Sequence, residues 1–145
     1  MPLANENVAL LSYFETWPGL VGVNVYVSEL PKNQADALST AVHNGTAYSA
    51  VVIQSTGVGG IGDASNHQFS TSTKQVKCYA QTPARARAIW NECRAALKAL
   101  HRNQKYAGVW LWSAIIGAPM ELREDAPLNW PLCTSTFDLM ASEVT

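Results

Sequence analysis

Apolar and polar residues alternate along this chain with two different periods, and each change of period marks an element. Residues 5–17, NENVALLSYFETW, carry Val8, Leu11, Phe14 and Trp17 on one stripe, which predicts a first helix capped by Asn5. Pro18 and Gly19 end it. In VGVNVYVSEL (21–30), Val21, Val23, Val25 and Val27 alternate with Gly22, Asn24, Tyr26 and Ser28, the period of a half-buried strand. PKNQADALSTAVHNG (31–45) holds no sustained period and reads as a loop with one helical turn, closing at Asn44-Gly45. TAYSAVVIQST (46–56) is rich in β-branched residues and reads as a second strand.

HQFSTSTKQVKCYAQ (67–81) returns to a period of two. Phe69, Thr71 and Thr73 alternate with Ser70, Ser72 and Lys74, and the pattern continues through Val76, Cys78 and Ala80. Between these two strands lies STGVGGIGDASNHQ (55–68), with Gly57, Gly59, Gly60 and Gly62. It predicts a long, flexible hairpin tip. TPARARAIWNECRAALKALHRN (82–103) is the strongest helix, with Thr82 as N-cap and Pro83 at the first position. Ala86, Ile89, Trp90, Cys93, Leu97 and Leu100 form its apolar face. VWLWSAIIGA (109–118) and PLCTSTFDLMA (131–141) read as two last strands. The order helix, three strands, helix, two strands predicts an α+β fold. Its sheet is antiparallel or mixed, with about four to five strands, and an N-terminal helix and a long central helix pack on one face. Residues 1–145 read as a single domain, without repeat, low-complexity segment or linker.

Composition narrows the function. Charged residues make up 14% of the 145, against about a quarter in an average domain, which suggests surface hidden in an assembly. The net charge of −1 asks for neither nucleic acid nor membrane. The longest apolar stretch, VWLWSAIIGAPM, is too short to span a bilayer, and MPLANENVALL lacks the basic start of a signal peptide. Cys78, Cys93 and Cys133 form no C-x-x-C pair and read as buried thiols in a reducing compartment.

Candidate chemistry is sparse. A phosphate loop needs a lysine at its end and a helix after it. Here Asp63 follows Gly62, no Lys or Arg stands between Lys32 and Lys74, and a strand follows. His43, His67 and His101 lack metal-ligand spacing, and no G-x-S-x-G occurs. Glu121, Glu124 and Asp125 could serve as acid and base, but their setting, PMELREDAPLNWP, reads as a solvated turn. The expectation is therefore no catalytic residue, no cofactor and no metal. One asymmetry stands out: six of the ten Lys and Arg residues fall between Arg85 and Lys105. Arg87, Arg94, Lys98, His101 and Lys105 are expected on one helical stripe, while residues 121–145 hold five acids against Arg123. The stripe reads as a solvated face or as a docking face for an acidic neighbour or DNA. Together with the acidic segment it suits head-to-tail self-association.

QVKCYAQTPARARAIWNECRAAL resembles the strand-then-helix core of tail terminator (tail completion) proteins of tailed bacteriophages. The N-terminal helix, the VYV strand, the glycine-rich tip and the closing strand LNWPLCTSTFDLM resemble that family's plan as well. The resemblance implies a structural virion protein of the tail and neck, assembled in the host cytoplasm. It would be a homo-oligomer, a hexameric ring capping the head-proximal end of the tail tube. The ring would stop tube polymerisation and join the tail-tube protein to the head-completion or neck protein. Genomic DNA would pass through its lumen without specific binding. Gly57, Gly59, Gly60, Gly62, Arg87, Arg94, Lys98, Glu121, Glu124 and Asp125 are the candidate interface residues. A head-completion (stopper) protein and a tail-tube protein are alternatives in the same class; a small enzyme and a DNA-binding module are alternatives outside it.

Overall fold

A computed structural model describes residues 6–55, 69–106, 109–117, 120–123 and 130–143. The elements in chain order are α1 (Glu6–Thr16), a short 3-10 turn (Pro18–Leu20), β1 (Asn24–Val27), α2 (Lys32–Asn44), β2 (Ser49–Ser55), β3 (Phe69–Ala80), α3 (Pro83–Ala99), β4 (His101–Tyr106), β5 (Val109–Ile116), β6 (Met120–Arg123) and β7 (Pro131–Glu143). The fold is α+β with a mixed sheet. Among the described residues the sheet has seven strands, ordered β1-β2-β3-β7-β5-β4, with β6 also pairing β7. β1 runs parallel to β2, and every other pair is antiparallel.

Two strands beyond the expected five are β4, HRNQKY, and β6, MELR. β4 was expected to belong partly to the helix before it. α3 instead stops at Ala99, where Leu100 takes an extended conformation and its N–H reaches the Leu97 carbonyl. Asn5 and the glycine-rich tip lie outside the described residues.

The parallel pairing of β1 with β2 explains α2. Parallel neighbours need a crossover of about a dozen residues or more, usually a helix. α2 fills it with 13 residues where one turn was expected. Its sequence hides it, because Leu38 and Ala41 are the buried residues of an otherwise polar element. Gly45 ends it in the left-handed conformation, φ 72°, which favours glycine. α2 lies on one face of the sheet, where Leu38 meets Ala50, Val52, Tyr79 and Leu132.

α1 and α3 share the opposite face over the larger core. From α3, Ala86, Ile89, Trp90, Cys93, Ala96 and Leu97 are buried, the face expected from spacing. Thr82 caps its start, accepting a hydrogen bond from the Arg85 amide at 3.2 Å. The α1 stripe differs from the expected one. Ala9, Leu10, Tyr13 and Phe14 are buried, Leu11 and Trp17 are half-buried, and Val8 is 39% exposed. The rotation lets the Tyr13 hydroxyl donate to the Ala96 carbonyl of α3 at 2.6 Å. Glu92 ties the same layer, accepting from the Trp17 indole at 3.1 Å. Gly19 makes room for that carboxylate, since a Cβ there would overlap it.

Two outcomes follow from this packing. Trp90 is 1% exposed in the larger core, so Trp90→Ala should cost about 3–5 kcal/mol in chemical denaturation. On the α2 face, burial and then Tyr26 push the Tyr48 phenol up to about 12, while its hydroxyl donates to Gln34 Oε1 at 3.2 Å. The unfolded phenol ionises near its ordinary value of 10.0 and the folded one resists. That contribution to stability is complete below pH 10.0 and is lost as pH rises toward about 12. Tyr48→Phe should shrink the alkaline fall in the denaturation midpoint over that range.

Candidate functional site

The exposed side of α3 follows from its buried one. With Ile89, Trp90, Cys93 and Leu97 against the sheet, Arg87, Asn91, Arg94 and Lys98 fall on the opposite side at spacings of four, three and four residues. All four are exposed. At 1.5 Å per residue the row is roughly 16 Å long. Ala84, Ala88 and Ala95 are exposed around it and present no bulk. Arg85 leans away, and its Nε donates to Ser49 Oγ at 3.3 Å at the start of β2. The one acid of the helix, Glu92, is half-buried and held by Trp17, so it does not neutralise the row. Among the described residues neither Arg94 nor Lys98 forms an ion pair, while Lys32 and Asp36 of α2 do, at 3.2 Å.

The structure trims the expected stripe. His101 and Lys105 belong to β4, so the helical row is Arg87, Arg94 and Lys98. Glu121 is on β6, where its backbone stands opposite Cys133. Gly57, Gly59, Gly60, Gly62, Glu124 and Asp125 lie outside the described residues.

Two clusters went unread in the sequence. The first surrounds Ser55 at the end of β2. Its Oγ accepts from Lys74 Nζ at 3.0 Å and from Asn7 Nδ2 at 3.2 Å. Lys74 is 5% exposed, and Asn7 Oδ1 is buried without a hydrogen-bond partner among the described residues. The signal was present, because Lys74 shares the strand parity of the buried Val76, Cys78 and Ala80. These groups make a polar plug between α1 and the sheet. The second cluster is sulfur. Cys78, Cys93 and Cys133 are all buried, as expected. Cys78 stands opposite Cys133 in the β3–β7 register, and its Sγ lies 3.9 Å from Cys93 Sγ of α3. Burial, then the Cys93 thiol, pushes the Cys78 thiol well above its ordinary range.

On the α2 side of the sheet, beyond the helix, β3 and β7 present polar residues. Thr136 and Asp138 are exposed, Thr73, Gln75 and Lys77 are half-buried, and Thr73 Oγ1 donates to Asp138 Oδ1 at 2.8 Å. Among the described residues no group of three His, Cys, Asp or Glu is placed to hold a metal, and no helix is long and apolar enough to cross a membrane. No protein-family model matches this chain, and no curated protein matches it.

Because Arg94 and Lys98 are exposed and unpaired among the described residues, reversing both charges should leave the folded monomer intact. Arg94→Glu with Lys98→Glu should shift unfolding free energy by less than about 1 kcal/mol in chemical denaturation.

Proposed function

We propose that this chain is a structural virion protein of the tail-terminator kind, a ring-forming subunit at the head-proximal end of a phage tail tube. The observation that carries the reading is charge segregation. One exposed helix face holds Arg87, Arg94 and Lys98, and five of the eleven acids fall within residues 121–145 against a single basic residue, Arg123. A surface divided in this way favours head-to-tail contact between copies, which closes into a ring when the rotation between neighbours permits. The α+β architecture and low charge content agree with the family resemblance. In this reading the protein works by shape: it ends tube growth, joins tube to neck, and lets DNA pass without specific contacts.

The row on α3 faces Glu121, Glu124 and Asp125 of the neighbouring subunit. Apolar burial supplies most of the affinity. Each exposed ion pair contributes about 0–1 kcal/mol, and repetition around a ring makes the total measurable. The charges also steer encounter over roughly 8 Å at physiological salt.

Native mass spectrometry or particle symmetry of purified protein tests the ring, and charge reversal tests the contact. Assembly should weaken as salt rises. Arg94→Glu with Lys98→Glu should block it, and adding Glu121→Lys with Glu124→Lys should restore it in part. A fourfold variant as defective as the twofold one would remove the acidic partner from the proposal. A twofold variant that assembles normally but fails to pass DNA would assign the row to the lumen instead.

A further inference from the structure

The three cysteines have no part in the proposed assembly, yet two of them are in contact across the two layers of the core. Cys78 is on β3 and Cys93 near the middle of α3, with their sulfurs 3.9 Å apart, van der Waals contact for two thiols. The fourteen residues between them, 79–92, contain the β3–α3 turn and the first ten residues of the helix. We propose that Cys78 and Cys93 are a dithiol that a peroxide oxidant converts to a disulfide, locking α3 onto the sheet when the protein leaves reducing surroundings. The inference does not depend on the ring.

The chemistry balances in two steps. One thiolate attacks a peroxide oxygen, the O–O bond breaks, and a sulfenic acid and water result once a proton is taken up. The second thiolate attacks the sulfenic sulfur, forming the S–S bond and expelling hydroxide, which leaves as water. In sum, two thiols and one hydrogen peroxide give one disulfide and two waters; sulfur is oxidised and peroxide oxygen reduced. A small oxidant suits the site, because both thiols are completely buried among Ile89, Trp90, Leu97 and Val76. Reaction therefore requires α3 to open from the sheet, which makes it slow in the native state and faster as pH rises. Once formed, the bond restricts the unfolded chain by closing the intervening loop, so the locked form gains stability. Cys133 is the competing partner, since it stands opposite Cys78 on the neighbouring strand.

The test treats folded wild-type protein with hydrogen peroxide, quenches it, unfolds it and alkylates the free thiols. The expected product has lost two hydrogens, carries one alkylated cysteine, and yields a cross-linked peptide joining Cys78 to Cys93. Its Tm should exceed that of the reduced protein by several degrees. Cys133→Ser should give the same loss of mass and the same cross-link. Three alkylated thiols after prolonged exposure, a sulfinic acid in place of the bond, a Cys78–Cys133 linkage, or a lower Tm for the oxidised form would each overturn the proposal. Should Cys133→Ser fail to fold, peptide mapping of the wild type decides between the two partners alone.

Discussion

The structure depends on the pairing of β7 along both of its edges. On one side it matches β3 from Phe69↔Ser142 to Tyr79↔Leu132 without a register shift. On the other side β5 covers its C-terminal half and β6 its N-terminal half. Those two partners do not match it residue for residue. The register shifts between Leu111 and Ser113, and from Ile116↔Phe137 to Met120↔Thr134 the outer chain takes four steps against three on β7. Gly117 sits at the second shift, donating its N–H to the Thr136 carbonyl at 2.9 Å and accepting from Ser135 Oγ at 2.9 Å. Extra residues of this kind bend a strand and increase its twist. The register shifts lie on the β4–β5–β6 side, and the β3–β7 pair stays regular beneath α3.

That regular pair is what the helices need. α3 sets Ile89, Trp90, Cys93 and Leu97 over Val76, Cys78, Cys133 and Phe137 in one core. α1 joins through Tyr13 and Phe14, and the Tyr13 hydroxyl and Glu92 fasten the two helices to one another. The basic row is a by-product of this fit. Its direction is set by the residues buried beneath it, and Glu92 is withdrawn from the surface by Trp17 and the space above Gly19.

The legible parts of the sequence were those where one period persists. α3 announces itself by its cap, its proline and its apolar face, and β2, β3 and β7 by alternation. α2 was hidden because a crossover helix over a small patch needs few apolar residues, here Leu38 and Ala41. β4 was hidden because polar HRNQKY continues the composition of the helix before it. α1 lies where its apolar spacing predicts but faces the core with Ala9, Leu10, Tyr13 and Phe14, leaving Val8 exposed. For the site, the exposure of Arg87, Arg94 and Lys98 was readable from α3 alone. The Ser55–Lys74–Asn7 plug and the Cys78–Cys93 contact join residues far apart in sequence, which no local period reports.

The place of β7 in the chain bears on how the protein is made. β3, β5 and β6 all precede it, and none of them meets its main partner until residues 131–143 leave the ribosome. Until then the edges of β3 and β5 that face β7 in the finished sheet lack that partner. Such edges template pairing with other chains. Synthesis at about 5–20 residues per second leaves them open on the scale of seconds. The interval between making β3 and making β7 is thus the period in which this sheet is most exposed to misassembly, and a chaperone that shields strand edges would act then.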